Sequence, residues 1–367
     1  MRDMGGYATN EAGWNDWKWQ FAHRITTVRS LAKVLPLTER EQADIGKCLA
    51  QFRMAITPYY ASLIDPENVE DPIRKQCVPS ILETLPCIND MDDPLGELVD
   101  SPVPHIVHRY ADRVLFLVTL QCSMYCRHCT RRRVVGEEDR VITEKALQVA
   151  LSYIRQHEEI RDVLISGGDP LTICTEKLDH IISSIRSIPH VDIIRIGTRV
   201  PVVMPMRITA ELTDMLKKHH PLWINTHFNH PQELTPEAKR ACAAIVDAGI
   251  PLGNQSVLLR GINDDAETMK QLLLGLVHMR VRPYYLYQCD LSKGIGHFRT
   301  TVDCGINIMH TLQGFISGYA VPKYVIDAPS GGGKIPIGYP YVISKDDNEV
   351  VMENYLGERC KYPQPRQ

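Results

Sequence analysis

Residues 162–188 read DVLISGGDPLTICTEKLDHIISSIRSI. A short β-branched run is followed by a glycine pair with an acid and a proline, and then by apolar residues at helical spacing. That is a strand, a turn and an amphipathic helix. The unit recurs along the chain. RVLFLVT (113–119) precedes TEKALQVALSYIRQHEE (143–159), IIRIGTR (193–199) precedes ITAELTDMLKKHH (208–220), and WINTHFNH (223–230) precedes TPEAKRACAAIVDAG (235–249). LGNQSVLL (252–259) with AETMKQLLLGLVHMRV (266–281), and PYYLYQCD (283–290) with INIMHTLQGFISGY (306–319), bring the count to six. Such apolar runs suit parallel strands buried on both faces, and right-handed crossovers curl them into a barrel. Six units rather than eight predict an α/β fold with an open (βα)6 partial TIM-type barrel.

Around this core, residues 1–104 read as a helical and loop-rich region that packs on the barrel, 105–320 as the barrel, and 321–367 as a C-terminal segment. In GWNDWKWQ (13–20) at least two of the tryptophans share a helix face, the usual sign of packing against a core. Pro and Asp accumulate through 65–104 and mark irregular connections. KYVID (323–327) and YVIS (341–344) add strands near the end.

The chain has 367 residues, 41 basic and 44 acidic, for a formal charge of −3. No general basic surface for nucleic acid follows from that balance. The opening MRDMGGYATNEAGW lacks the apolar core of a signal peptide, and no apolar run approaches the length of a membrane span. A cytoplasmic protein without membrane association is expected. Eleven cysteines, an odd number, cannot all pair within one chain. Eight are scattered (Cys48, Cys77, Cys87, Cys174, Cys242, Cys289, Cys304 and Cys360) and are expected to be mostly buried apolar side chains.

The other three, Cys122, Cys126 and Cys129, fall inside CSMYCRHCTRRR (122–133), directly after the first barrel strand. In a βα barrel the C-terminal strand ends form one face. Ser166, Gly167, Gly168, Asp169, Thr198, Arg199, His227, Gln255, Asp290 and Asp327 lie at or just beyond such ends, so the motifs converge there. A structural zinc ordinarily needs four closed ligands. His128, lying between two of the cysteines, would close that tetrahedron only with strain. Three thiolates suit a four-iron, four-sulfur cluster with one iron left open to another ligand. The spacing and its place after the strand resemble the CxxxCxxC loop of the radical S-adenosylmethionine superfamily. The glycines of SGGDP would let backbone groups approach a ligand closely, and with Ser166, Asp169, His227 and Gln255 they form the candidate S-adenosylmethionine contacts.

TLQCSMYCRHCTRRR, SGGDP, NTHFNHP, LGNQSVLLRG, RPYYLYQCDLS and DAPSGGGK together resemble the lysine 2,3-aminomutase family, over nearly the whole chain. The resemblance implies a radical enzyme that uses a 4Fe-4S cluster, S-adenosylmethionine and pyridoxal 5′-phosphate to move an α-amino group to the neighbouring carbon. It implies Lys334 as the lysine that holds the cofactor aldehyde, and Arg109, Tyr110 and Arg113 at its phosphate. It also implies Arg131 at the substrate carboxylate, with Asp290 and Asp327 at the distal ammonium of lysine. Partners expected with it are a small amino acid substrate, an electron donor such as flavodoxin or ferredoxin, and a homo-oligomeric assembly. Two departures stand out. Family members carry a cysteine just after VND and a cysteine-rich tail that together bind zinc. Here Asp265 occupies the first position and the sequence ends PQPRQ, so no zinc is expected. Lys293 in DLSKG adds a cation near Asp290. Pointing inward, it would favour arginine or another basic amino acid as substrate. A catalytically idle iron–sulfur or zinc sensor is the reading from a different class; the complete set of Cys122, Cys126, Cys129 and Lys334 argues against it.

Overall fold

The computed structural model describes residues 11–136 and 140–365; the 1–10 stretch of the opening and the last two residues of PQPRQ lie outside the described residues. One nine-stranded sheet runs in sequence order: β1 (Ile106–Tyr110), β2 (Arg113–Thr119), β3 (Asp162–Gly167), β4 (Ile193–Gly197), β5 (Leu222–Thr226), β6 (Leu252–Leu258), β7 (Arg282–Gln288), β8 (Lys323–Ala328) and β9 (Gly333–Pro336). β2 to β8 are parallel, while β1 and β9 pair antiparallel at the two edges. The six predicted βα units are all present, and KYVID supplies β8. YVIS begins a separate three-stranded sheet: β10 (Val342–Lys345), β11 (Glu349–Glu353) and β12 (Arg359–Pro363).

Burial alternates along the strands. Val163, Ile165, Ile194, Ile196 and Ile224 are fully buried beneath the helices, whereas Leu164, Ser166, Arg195 and Asn225 on the opposite face are half-buried. The sequence suggested strands buried on both faces; only the outer face is. The inner face lines a hollow instead of filling it with side chains, and this creates room for small molecules.

Most of the long barrel helices start on a residue that caps them, the helix Thr175–Arg186 being an exception. Thr143, Thr209, Thr235, Asp265 and Thr301 accept backbone N–H groups of the first turn, which satisfies donors the helix itself cannot. Asp265, where the zinc-site cysteine of relatives was expected, accepts from Thr268 N at 2.8 Å. The N-terminal region packs on the barrel through Trp14 and Trp17, and the Trp17 ring lies 4.6 Å from the buried Arg207 guanidinium. The eight scattered cysteines are not mostly buried as expected: Cys48, Cys77, Cys242 and Cys289 are buried and Cys304 is half-buried. Cys87, Cys174 and Cys360 are exposed, Cys174 because it sits at a helix start and Cys360 because β12 is exposed throughout.

β1 and β9 are not paired with each other, so the barrel is open. Contacts outside the strand ladder cross the seam: Lys334 N donates to Tyr110 Oη at 2.9 Å, and Ser330 N to Pro94 O at 2.9 Å.

Candidate active site

The cysteine loop rests directly on β3. Gly168 N donates to Thr119 O at 2.6 Å and Asp169 N to Gln121 O at 2.8 Å. A Cβ at Gly167 would stand 2.2 Å from Thr119 O, and one at Gly168 would stand 2.3 Å from Gln121 O. Gly167 also has φ +120°, so both positions require glycine. The glycines of SGGDP therefore seat the loop against the sheet. Asp169 is committed as well: its carboxylate accepts from Thr198 Oγ1 at 2.6 Å and Arg199 N at 2.7 Å.

A second anchor comes from the N-terminal region. Glu83, fully enclosed, takes both Arg127 and Arg132 of the loop. Burial pushes its carboxyl up, but the two guanidiniums outweigh that and hold it below its usual range. Arg127 also donates to Arg53 O at 2.7 Å, and the Arg132 guanidinium lies 3.7 Å from the Phe52 ring.

Cys122, Cys126 and Cys129 are half-buried side chains on this loop. Burial is the largest cause raising the Cys122 thiol, with Asp169 and the other two cysteines adding to it; burial and Cys126 push Cys129 up to about 11. Thiols this hard to ionise become thiolates when a cationic centre pairs with them. Three thiols that act on one another, with the buried Ser123 Oγ and His128 Nδ1 lacking partners beside them, fit a cluster. Among the described residues no three His, Cys, Asp or Glu side chains converge as ligands of one ion. His128 stacks on His227 at 5.4 Å, and its Nε2 accepts from Asn229 Nδ2 at 3.3 Å.

His227, pushed down to about 3 mainly by burial and then by Arg199, is a neutral ring. Its loop is pinned from β6, where Asn254 Oδ1 accepts from Phe228 N at 2.7 Å and Ser256 Oγ donates to Phe228 O at 2.7 Å. Ser166 and Gln255 lie half-buried on the inner face of β3 and β6.

Across the mouth stands the β8–β9 hairpin. Its register sets Lys334 opposite Asp327, and the Lys334 amine donates to the Asp327 carboxylate at 3.0 and 3.3 Å. Although Lys334 ends the glycine run SGGGK, it stands on a strand, the turn before it made by Ser330, Gly331 and Gly333 at positive φ. The Lys334 amine lies 5.4 Å from the Tyr287 ring centre. Arg113 lies over the Tyr110 ring at 4.2 Å. Arg109 is turned to Asp100 at 2.7 Å, beside Gly331. An amine, an aromatic face and two cations gathered about the seam between β1 and β9 fit a phosphate-bearing aromatic aldehyde.

Asp290 accepts from Thr130 Oγ1 at 2.7 Å. Burial is the main cause that raises its carboxyl to about 6, with Asp327 adding and Lys334 and Arg131 opposing. Arg131 is gripped by Glu97 through contacts of 2.6, 2.9 and 3.0 Å. Arg131, Asp290, Asp327 and Lys334, drawn from distant parts of the sequence, thus face one space. Lys293 is exposed, so the reason for preferring arginine as substrate disappears. Thr130, Glu97, Tyr287 and the Glu83 pair had no role in the sequence reading, although Tyr287 lay in plain view within YYLYQCD. A cavity of about 710 Å³ lies at the other end of β4–β7, lined by Arg195, Trp223 and Tyr284, and none of the candidate residues line it.

The radical SAM superfamily model matches residues 116–273, the span that holds the three cysteines, and this gives the class. The lysine-2,3-aminomutase model matches 309–367, which contains Asp327 and Lys334. The L-lysine 2,3-aminomutase of Acetoanaerobium sticklandii is 58% identical over 100% of this chain and 88% of its own. That of Clostridium subterminale is 55% identical over 97% and 86%. The glutamate 2,3-aminomutase of Clostridioides difficile is 48% identical over 96% and 83%. The chain belongs to the lysine 2,3-aminomutase family.

Proposed function

We infer that the protein is an isomerase that interconverts L-lysine and L-β-lysine by moving the amino group between adjacent carbons. The observation that carries the substrate choice is the pair Asp290 and Asp327, two carboxylates in electrostatic contact at one end of the space. Like charges held together in a half-dry site favour a cation between them. A glutamate side chain would bring a third carboxylate to the same point.

When bound, the cluster on Cys122, Cys126 and Cys129 with S-adenosylmethionine supplies the hydrogen-abstracting radical, and pyridoxal phosphate on Lys334 supplies a π system that spreads unpaired spin. The chain's own residues bind and orient. Asp290 and Asp327 take the distal ammonium, and Thr130 fixes the Asp290 rotamer. Arg131, aimed by Glu97, faces the α-carboxylate. Arg109, Tyr110 and Arg113 serve the cofactor phosphate. Ser166, Gly167, Gly168, Asp169, His227 and Gln255 form the S-adenosylmethionine side; there Gly167, Gly168 and Asp169 act by shaping the loop.

The reading includes a small electron carrier of the flavodoxin or ferredoxin class as reductant. It also includes self-association, supported by the β10–β12 sheet, which exposes Val342, Ile343 and Tyr362. No helix among the described residues is long and apolar enough to cross a membrane. All eleven cysteines are unpaired, which supports a reducing compartment such as the cytoplasm.

The test uses anaerobically reconstituted, reduced protein with S-adenosylmethionine and pyridoxal phosphate. It is offered lysine, arginine, ornithine and glutamate separately, and products are resolved by chromatography. β-Lysine is the expected major product; faster turnover of arginine or glutamate would overturn the substrate assignment.

A further inference from the structure

Arg199 stands two residues beyond the end of β4, at the mouth of the barrel, and is 7% exposed. Its guanidinium is used on every edge. Nη1 donates to Cys126 Sγ at 2.8 Å, Nε to His227 O at 3.1 Å, and Nη2 to Glu233 Oε1 at 2.8 Å and to Gln76 Oε1. Glu233 is itself fully buried and accepts from Tyr60 Oη at 2.7 Å and Asn229 N at 2.6 Å. The cation is therefore held by a rigid frame with one edge pointed at a cluster ligand.

We propose that Arg199 sets the reduction potential of the cluster carried by Cys122, Cys126 and Cys129, with Glu233 as its counter-charge. The inference rests on the cluster reading given above. Reduction adds one negative charge to the cluster. A fixed cation bonded to a ligand sulfur stabilises the reduced form more than the oxidised form, and hydrogen bonds to cluster sulfurs and net charge are known levers on potential. The effect is amplified where water is scarce. Glu233 sits on the far edge of the guanidinium, so the pair presents its positive end to Cys126. Removing either member should move the potential, and in opposite directions. A role confined to packing predicts no such opposition.

Iron and acid-labile sulfide are measured first on wild-type, Arg199→Gln, Arg199→Lys and Glu233→Gln proteins, which are then titrated potentiometrically under electron paramagnetic resonance. Arg199→Gln should lower the reduced-to-oxidised ratio at a given potential about tenfold, ~59 mV for a one-electron couple. Arg199→Lys should show a smaller drop, and Glu233→Gln a rise. Loaded Arg199→Gln and Glu233→Gln proteins with the wild-type potential, or shifts of the same sign, would overturn the proposal. If Arg199→Gln retains no iron, Glu233→Gln decides: a rise supports the assignment, and no change or a fall refutes it. A wild-type protein that binds no iron and sulfide removes the cluster reading itself, and this is seen before any titration begins.

Discussion

The two sides of the barrel mouth are built on opposite plans. The cysteine loop is seated by glycines against β3 and bolted from behind by the buried Glu83 and Arg127 and the half-buried Arg132. The β8–β9 hairpin that carries Lys334 is an edge ribbon: residues 334–336 are exposed, and β9 touches the opposite lip through the Tyr110 hydroxyl. On the proposed function, the first side would hold a metal cluster in fixed relation to its ligands, which suits an over-determined geometry. The second would hold an aldehyde cofactor through the Lys334 amine, which has to be free to leave the Asp327 carboxylate. A lysine bolted as firmly as Arg127 could not do that. Rigidity is spent where bonds are kept, and looseness is left where a partner is exchanged.

The contrast can be broken at either end. The largest effect is expected at Lys334: Lys334→Ala should abolish turnover and the borohydride-sensitive visible band while leaving iron content and Tm near wild type. An accompanying loss of iron would mean the two lips are coupled. Next comes Glu83→Gln, which leaves two buried guanidiniums without their carboxylate. It should cost about 3–5 kcal/mol, read by denaturant unfolding, and should lower iron content even though no ligand has changed.

Asp290 sharpens the comparison within the substrate space. Asp290→Asn should raise the KM for lysine at least tenfold, as expected on losing a charge-assisted bond of about 1.5–3 kcal/mol. It should also stabilise the apo protein. The folded-state pKa, about 6, lies above the ordinary carboxyl value. The folded state therefore binds the proton more tightly, and stability falls as pH rises through that interval and stays reduced above it. Discounted for partial exposure, the gain for Asn at pH 8 is about 1–2 kcal/mol, measurable as a rise in Tm. In the wild type, kcat/KM for lysine should fall as pH drops below about 6, because protonated Asp290 no longer attracts a cation. A flat profile down to pH 5 would remove Asp290 from the binding step. The smallest effect belongs to Tyr110→Phe, which deletes one seam hydrogen bond: about 1 kcal/mol, with a change of a few-fold in kcat/KM.

The barrel was legible because its period is local: each βα unit announces itself within about thirty residues. The three cysteines stood out in the sequence by type and spacing, whereas Lys334, an ordinary residue after a glycine run, was singled out by the resemblance alone. What escaped lies in contacts across the chain. Glu97 sat in a stretch that reads only as an irregular connection, yet it aims Arg131, thirty-four positions away. Thr130 meets Asp290 at a separation of 160, and Glu83 meets Arg127 at 44. Arg199 was noticed as a polar residue at a strand end, but nothing in its neighbours tells that its guanidinium reaches Cys126. Carboxylates and guanidiniums are common, and only the fold selects which ones meet.

The fit of Gly167 and Gly168 against Thr119 and Gln121 bears on how such proteins are searched for active residues. In a saturation library these two sites should tolerate replacement as poorly as the cysteines themselves. Intolerance alone would misfile them among the reacting groups. Their veto is steric: every other amino acid needs space already taken by main chain.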